Sequence, residues 1–333
     1  MNFKKVIATI SCVTLLGSLT ACGSTKTATA NDELAFFNDT TVKMVMPYGS
    51  GGTSDTVGRK FAEIANKYVK KPIVVENLTG GDGIVAAAQF TKEKADTKKI
   101  MFTSIGQFYA KNIKANVPFE LKDLQPVSML YKTDWILYVR TDKGLTSFEK
   151  LLAESKKRTL KISVGGIGTD GHLTSCGLIA AAGGKAEPVM YEGGAEQLAA
   201  LLGGHVDAFV GNPAIALQYV KTGELTPVVS FGITDFKGFE GKTVPSVVGL
   251  GYPGNAIAGN GMLSVRSGSD AATAKALRIL SEKVLNDKDW IEWTNKTLLA
   301  QQPLYEKDLM TFIDGQVKNA KAAADTLGIL ENK

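Results

Sequence analysis

Two glycine-rich segments of this 333-residue sequence have the composition of anion-binding loops. Residues 48–55 read Tyr-Gly-Ser-Gly-Gly-Thr-Ser-Asp, and residues 165–171 read Gly-Gly-Ile-Gly-Thr-Asp-Gly. Each segment follows a short apolar run typical of a strand and precedes a stretch with the periodicity of a helix. The first N–H groups of a helix have no partner inside it and attract anions, and glycine lets the backbone approach a ligand closely. We therefore expect both loops to bind an anion.

The second loop also fits a different chemistry. Residues 166–171 match the pattern G-x-G-x-x-G, and Glu192 follows the next predicted strand about 20 residues later, where dinucleotide-binding folds place an acid for the ribose. A nicotinamide-dependent enzyme is thus an alternative. It is the weaker interpretation, because no catalytic His-Asp or Tyr-Lys set stands out and because the amino terminus reads as an export signal, which directs the chain to where such cofactors are scarce.

The histidines do not suggest a metal site. His172 and His205 are the only two in the sequence, and nucleophile-elbow, zinc-protease, Walker and Cys-x-x-Cys motifs are absent from it. His205 follows two glycines and reads as a plain surface residue. For His172, which opens the helix after the second loop, two roles stay open: a simple first-turn residue, or a neutral imidazole that faces the ligand. We expect no metal and no cofactor.

The elements that must position these loops follow a repeated strand–helix pattern. From residue 41 onward short apolar runs alternate with amphipathic stretches, which is typical of a parallel sheet. Strands are predicted at residues 43–46, 73–76, 100–103, 161–164, 188–191, 206–210 and 228–231, and helices after the first loop and at residues 84–91, 172–182, 195–202 and 213–221. Ligands bind at the carboxyl ends of parallel strands, where both loops are predicted to lie.

Two further strands predict how the chain passes between two α/β domains. Residues 135–140 and 262–266 end in similar Leu-x-Val-Arg sequences, and we interpret both as strands that leave one domain and enter the other. Domain 1 then comprises residues 41–139 plus 264–333, and domain 2 comprises residues 140–263. The carboxyl-terminal helices, about 271–286 and 306–327, are expected to pack back on domain 1. The result is a hinged clam-shell of two mostly parallel sheets flanked by helices.

The amino terminus has the features of a lipoprotein signal. Residues 1–21 contain Lys4 and Lys5 followed by an apolar run that is shorter than the ~20 residues needed to span a bilayer. Leu19-Thr20-Ala21-Cys22 resembles the lipobox of bacterial lipoproteins, in which the cysteine carries the lipid. Residues 22–40 are rich in Ser, Thr, Ala and Asn and are predicted to form a flexible tether.

Composition and cysteine content restrict the remaining classes. The chain has 38 basic and 33 acidic residues, a formal net charge of +5 and no basic block, which argues against a nucleic-acid partner. With 44% hydrophobic residues and 35 glycines it is neither collagen-like nor wholly disordered. Once the leader is removed and Cys22 is modified, Cys176 remains alone. We therefore expect no disulfide and interpret Cys176 as a small buried hydrophobe.

Several motifs together resemble the substrate-binding family of tripartite tricarboxylate transporters, the Bug receptors, from about residue 41 to 330. The motifs are Val45-Met46-Pro47-Tyr48-x-x-Gly51-Gly52-x-x-Asp55 with Arg59, Val75-Glu76-Asn77 with the turn Gly80–Gly83, Gly166-x-Gly168-Thr169-x-x-His172-Leu173, Tyr191-x-Gly193-x-x-x-x-Leu198, and Leu202-Gly203-Gly204-x-Val206-Asp207. Family members commonly have Lys after the tyrosine of the Tyr-x-Gly motif, where this chain has Glu192. This departure argues against a highly charged tricarboxylate.

The resemblance implies a two-domain periplasmic-binding-protein (Venus flytrap) fold that holds a ligand carboxylate largely through backbone groups and water. Carried over residue by residue, it implies the ligand-binding set Tyr48, Ser50, Gly51, Gly52, Thr53, Asp55, Gly166, Gly168, Thr169 and His172, with Tyr191 and Asn212 as lining residues. Asp55 has an alternative role as a cap of its own helix. Arg59, one turn further on, is expected to be a structural ion-pair partner.

The function that follows from the resemblance is that of a monomeric, lipid-anchored solute receptor outside the cytoplasm, at the outer face of the cell membrane or in the periplasm. It would deliver a small carboxylate to the integral membrane subunits of a tripartite tricarboxylate-type transporter, and it would not be an enzyme. A second hypothesis, an exported sensor that presents its ligand to a membrane kinase, predicts the same pocket.

Overall fold

The computed structural model describes residues 33–95, 97–113, 117–191, 193–299 and 301–330. The predicted leader, the lipid site Cys22 and Glu192 lie outside these residues. Among the described residues, no helix combines the length and apolar character required to cross a membrane. The predicted tether 22–40 is wrong at its carboxyl end. There a short helix α1 (Ala35–Asn38) forms, and Leu34 and Phe37 are buried in the first domain's core because apolar residues three apart share one face of a helical turn.

The first domain is built on a five-stranded sheet with strand order β2-β1-β3-β12-β4. The strands β1 (Val42–Met46), β2 (Ile73–Asn77) and β3 (Lys99–Thr103) are parallel, as predicted. The strand β12 (Gly259–Arg266) runs antiparallel to both β3 and β4 (Leu124–Thr133). The sheet is therefore completed by a strand from far along the chain.

The second domain repeats this architecture, with strand order β7-β6-β8-β5-β9. The strands β6 (Leu160–Val164), β7 (Ala186–Met190) and β8 (Ala208–Gly211) are parallel. The strand β5 (Ile136–Arg140) is antiparallel to β8 and to β9 (Leu225–Ser230). A short hairpin, β10 (Phe236–Phe239) and β11 (Lys242–Val244), was not predicted.

Helices cover both faces of each sheet. The first domain carries α2 (Thr53–Ala65), α3 (Ile84–Lys92), α4 (Ile105–Ile113), α9 (Ala271–Leu285), α10 (Lys288–Lys296) and α11 (Glu306–Thr326), and the second carries α5 (Phe148–Lys157), α6 (Asp170–Ala181), α7 (Gly194–Leu202) and α8 (Pro213–Lys221). Strand alternation separates the cores on the two faces of a sheet. In β1, for example, Met44 and Met46 join one buried cluster and Val45 joins the other.

The two crossings lie outside the strands that were predicted to form them. Strand β5 pairs only within the second sheet and β12 only within the first, because a strand that is hydrogen-bonded along its length belongs to one sheet. The first crossing is therefore the two-residue link Asp134–Trp135, and the second precedes Gly259. Helix α11 packs against α4 of the first domain, as expected, and also against α6 of the second domain.

Candidate ligand-binding cleft

The strand order places six helix starts at the cleft edges of the two sheets. In the first domain α2, α3 and α4 follow the carboxyl ends of β1, β2 and β3, and in the second domain α6, α7 and α8 follow β6, β7 and β8. Among these described helices, α2, α3 and α7 begin after the glycine N-caps Gly52, Gly83 and Gly193, which supply no side-chain hydrogen bond to the first turn. Both domains thus present helix N-termini, with their partial positive charge, toward one crevice.

The first loop is braced by residues outside it. Asp55 is only 3% exposed, and its Oδ2 accepts hydrogen bonds from Gly51 N at 3.0 Å and from Arg59 Nε at 2.9 Å. Asn77 Nδ2 donates to Asp55 Oδ1 at 2.8 Å and to the Tyr48 carbonyl at 2.8 Å. Burial disfavours the charged carboxylate, but the hydrogen bonds outweigh it and lower the pKa of Asp55. The expectation for Arg59 as an ion-pair partner is confirmed.

The same contacts bear on the role of Asp55. The N-cap of α2 is Gly52, and Asp55 reaches back past it to the N–H of Gly51, which has a φ of 82°. Asp55 therefore holds the loop in shape rather than capping the helix end itself. Its two oxygens are occupied by protein donors, so a ligand contact of Asp55 stays a prediction with little support from the geometry. Ser50 is exposed, and its hydroxyl lies 3.3 Å from Asn77 Oδ1.

The second loop is braced by its own residues. Thr169, the N-cap of α6, accepts from His172 N at 3.4 Å and donates to the Gly166 carbonyl at 2.8 Å. Gly168, with a φ of 74°, donates its N–H to His172 Nδ1 at 3.0 Å. His172 is 4% exposed, and burial lowers its pKa to about 4. The imidazole is thus neutral, with Nδ1 as the acceptor and the proton on Nε2.

A third loop, which the sequence reading missed, completes the first domain's side. Ser104 N donates to Gln107 Oε1 at 2.7 Å, and the Tyr48 hydroxyl lies 2.6 Å from Ser104 Oγ and accepts from Gln107 Nε2 at 3.1 Å. The pattern Ser-x-x-Gln at the start of α4 is a capping box, in which the glutamine reaches back to the N–H of the capping serine. That spacing is visible in the sequence and could have identified the contact.

Within the described part of the chain, two side-chain hydrogen bonds join the domains across the cleft. Asn212 Nδ2 donates to Thr53 Oγ1 at 2.5 Å, while Asn212 Oδ1 caps α8 by accepting from Ile215 N at 3.1 Å. The hydroxyl of Tyr109, on α4, donates to Asp170 Oδ1 in the first turn of α6. The structure thus brings together Thr53 and Asn212, predicted from different domains, and it adds Tyr109 and Asp170, which were not predicted.

Burial and nearby acidic side chains raise the pKa of two tyrosines at the cleft. Burial, followed by the charges of Asp170 and Asp82, raises the pKa of Tyr109. Burial and the charge of Asp82 likewise raise the pKa of Tyr48. Both phenols are therefore protonated at any physiological pH. Tyr191, the remaining lining candidate, is half-buried and packs against the second domain's core.

The other expectations about single residues have clear outcomes. His205 is exposed, as predicted for a surface residue. Cys176 is 2% exposed, and burial raises the pKa of its thiol to about 12, which confirms it as a buried hydrophobe rather than a reactive thiol. Within the described ranges, no group of three or more His, Cys, Asp or Glu side chains is placed to hold a metal ion.

Two α/β domains, joined by crossings and facing each other with helix N-termini, define a solute-binding protein of the Venus flytrap type. The family model described as "Tripartite tricarboxylate transporter family receptor" matches residues 57–329, and the chain belongs to that family. Protein BugT of Bordetella pertussis is 25% identical over 258 residues, which cover 76% of each chain.

Solved structures of the same architecture support the fold. Rpa4515 of R. palustris, solved with adipate, superposes with a TM-score of 0.79 at 21% identity over 88% of this chain and 98% of its own. MatC of Rhodopseudomonas palustris, solved with bound malate, gives a TM-score of 0.74 at 19% identity over 86% of this chain and 100% of its own. The expected two-domain α/β fold is confirmed.

Proposed function

We propose that this chain is a lipid-anchored receptor outside the cytoplasm that captures a small carboxylate and delivers it to a tripartite tricarboxylate-type secondary transporter. The observation that carries the proposal is the convergence of helix N-termini from both domains on one cleft. Membership of the receptor family supports it. Two related folds solved with adipate and with malate support a dicarboxylate as the class of ligand.

The ligand carboxylate would be held by backbone and hydroxyl donors. Residues 48–55 and 165–172 contain no Lys or Arg, so N–H groups, hydroxyls and water must supply the donors within these loops. Charge-assisted hydrogen bonds of this kind contribute roughly 1.5–3 kcal/mol each. The proposed contacts are Tyr48, Ser50, Gly51, Gly52, Thr53, Gly166, Gly168 and Thr169, with Tyr191 and Asn212 lining the cleft. Asp55 and His172 act on the ligand through the loops they hold.

Binding would be coupled to domain closure. Each domain supplies one half of the donor set, so a ligand that contacts both halves favours the closed arrangement over the open one. The short link Asp134–Trp135 and the segment before Gly259 are the proposed hinges. Small-angle scattering of the mature protein should show a smaller radius of gyration with ligand than without it. An unchanged radius at saturation would contradict this mechanism.

The anchor is proposed to be a lipid on Cys22, which follows the lipobox-like sequence. The Cys22→Ala variant should be released from washed membranes or stay uncleaved, since one leader alone gives no stable anchor after processing. Equal retention of variant and wild type would rule out the lipid anchor. The partner in this proposal is the membrane part of the transporter, and the receptor acts as a monomer without cofactor or catalytic step.

A thermal-shift screen of the mature protein tests the binding function. The screen should contain dicarboxylates such as malate and adipate, tricarboxylates, acidic amino acids, aromatic acids and NADH. We expect a rise in Tm with at least one carboxylic acid and none with NADH. A shift with NADH alone would favour the dinucleotide-dependent alternative. Uptake of the identified acid in cells that lack the receptor then separates transport from sensing, because a sensor would leave uptake unchanged.

A further inference from the structure

A buried glutamine, Gln107, connects the first loop, the turn Gly81–Gly83 and the loop at Ser104, all in the first domain. It lies in the first turn of α4 and is 2% exposed. Its Oε1 accepts from Ser104 N at 2.7 Å and from Ser104 Oγ at 3.2 Å. Its Nε2 donates to the Tyr48 hydroxyl at 3.1 Å and to the Asp82 carbonyl at 3.0 Å. Both hydrogens and both lone pairs of the amide are thus used within the protein.

The orientation of this amide follows from its neighbours. A backbone N–H can only donate and a backbone carbonyl can only accept, so Ser104 N fixes Oε1 and the Asp82 carbonyl fixes Nε2. The assignment gives a closed ring of three hydrogen bonds. Gln107 donates to Tyr48, Tyr48 donates to Ser104, and Ser104 donates back to Gln107, so every proton in the ring has an acceptor. Such circular chains strengthen each bond by polarisation.

The backbone beside the ring leaves no room for a side chain at Gly83. Gly83, the N-cap of α3, has a φ of 86°. A Cβ atom at this position would clash with Gln107 Nε2 and lie 3.0 Å from the Cβ of Pro47. Glycine is therefore required both by the left-handed conformation and by the close approach of the amide. The turn Gly81–Gly83, the start of the first loop and the start of α4 are packed around one side chain.

We propose that Gln107 is the positioning residue of the first domain's half of the ligand site: it holds the Tyr48 phenol and the turn Gly81–Gly83 in the arrangement that meets the ligand. This inference rests on the proposed receptor function, but the part that concerns how Gln107 holds the loops applies to the ligand-free protein. It also assigns a polarity to Tyr48. Because the phenol donates to Ser104, its oxygen can accept from a bridging water but cannot donate to a carboxylate, so Tyr48 contacts the ligand carboxylate through that water or through its backbone N–H.

The first test uses hydrogen–deuterium exchange on the ligand-free protein. The variant Gln107→Met keeps the side-chain length and removes all four hydrogen bonds. We expect exchange to become about tenfold faster in residues 47–56 and 79–86, since the loops lose a shared buried partner. Residues 165–172 of the second domain should be unchanged. The matched control is Gln89→Met on α3, where the glutamine lies outside these contacts and the same substitution should change neither loop.

The second test asks whether hydrogen bonding, and not packing, is responsible. In Gln107→Glu the carboxylate keeps the acceptor for Ser104 but cannot donate to Tyr48 or to the Asp82 carbonyl. Protonation restores one donor. The ratio of exchange rates, variant over wild type at the same pH, should therefore fall toward one between pH 8 and pH 5 for Gln107→Glu and stay constant for Gln107→Met. The other ionisable groups near Tyr48 are Asp82 and Asp170, and the wild type at each pH accounts for them.

The third arm measures affinity for malate and adipate by calorimetry. Gln107→Met should bind whichever acid the wild type binds at least about tenfold more weakly, with Gln89→Met unchanged. Unchanged exchange in both first-domain loops, or an equal rise in residues 165–172, would overturn the positioning role. A wild type that binds no carboxylic acid would instead overturn the proposed function, and the exchange arms would still decide how Gln107 holds the loops.

Discussion

The two glycine loops are held in shape by different kinds of contact. The second loop is closed within seven residues by Thr169 and His172, which bond Gly166 and Gly168 of the same segment. The first loop is held by Asn77 from the end of β2 and by Gln107 from α4, together with Asp55 and Arg59. The second loop is stabilised by local contacts alone, whereas the first also depends on residues from β2 and α4.

This difference changes what a substitution reports. In the second loop the Thr169 side chain bonds both the turn, at the Gly166 carbonyl, and the start of α6, at His172 N. A substitution there is therefore expected to change only the second loop. The first loop is held by residues from several elements. A substitution of Asn77 or Gln107 is therefore expected to change the conformation of the neighbouring loops as well. The following predictions separate these two modes of support, from the largest expected effect to the smallest.

The largest effects are expected at the glycines. Gly168→Val should abolish binding and also lower stability, because a φ of 74° is strained for a β-branched residue. Gly52→Val should abolish binding with little loss of stability. Gly52 has a φ of −74°, and the nearest atom to an added Cβ is the Gly49 carbonyl oxygen at 3.7 Å. Calorimetry and urea unfolding of both variants check this. Wild-type affinity in two folded variants would mean that the loops are structural turns only.

The carboxylate that braces the first loop should come next. Asp55→Asn weakens the contacts with Gly51 and Arg59 and should reduce affinity by roughly tenfold to a hundredfold. Asp207 is the matched control, since it also accepts from an arginine, Arg158, and from a backbone N–H, that of Lys161, but it lies away from both loops. Asp207→Asn should destabilise the fold and leave affinity unchanged. Equal losses of affinity in the two variants would contradict a specific role for Asp55.

The histidine of the second loop predicts a pH effect on stability. Burial lowers the pKa of His172 to about 4, against 6.5 for an exposed histidine. Between these values the unfolded chain binds a proton that the native state does not, so stability falls as the pH drops from 6.5 toward 4, by up to roughly 3 kcal/mol. His172→Asn should remove this dependence, and His205→Asn, at an exposed site, should keep it. Urea unfolding at pH 7.5 and pH 4.5 measures the difference.

The same position also tests the loop contact itself. In His172→Asn the introduced amide oxygen can take the place of Nδ1 as the acceptor, so this variant should retain affinity within about threefold. His172→Gln places its amide further from the backbone and should lose about tenfold. Calorimetry with the acid that the wild type binds measures both. Similar affinities in the two variants would show that the Gly168 N–H contact does not shape the site.

The smallest effects are expected for single hydroxyls. Thr169→Ala removes the cap of α6 and the bond to the Gly166 carbonyl, whereas Ser50→Ala removes one exposed contact of 3.3 Å to Asn77. Both should weaken binding by less than about tenfold, and Ser50→Ala should be the milder of the two. A larger loss of affinity in Ser50→Ala than in Thr169→Ala would contradict this order and would show that the single hydroxyl matters more in the first loop than in the second.

Local structure is what the sequence predicted well. The bounds of α8 agree with the prediction at residues 213–221, because Pro in the first turn and an asparagine cap are short-range signals. The second loop was readable for the same reason. The long-range partners of the first loop were not, because Asn77 and Gln107 lie 22 to 59 residues from the first-loop groups that they bond. Local signals were present for the pair Asp55 and Arg59, four residues apart, and for the capping box of Ser104 and Gln107.

The contacts between the domains could not be predicted from the sequence. Thr53 and Asn212 are 159 residues apart, and nothing in either segment identifies the other as its partner. The segments now seen as β5 and β12 were predicted to be strands, but each was predicted to pass from one domain to the other. The reason is that one sequence does not show which strands are hydrogen-bonded to each other. Leu34 and Phe37 were assigned to a tether because the preceding residues are polar, although their spacing fits a helical turn packed on a core.

The position of β12 sets the order in which this molecule can be completed. Strand β12 lies between β3 and β4, yet it is made after the whole of the second domain. Until residues 259–266 are available, β3 and β4 have exposed edges and the amino-terminal sheet is open. The first domain to be synthesised is therefore the last to close, and a chain truncated before Gly259 would contain a complete second sheet beside an unfinished first one. Closure of the cleft between the two domains is in this way postponed until residues 259–266 have emerged.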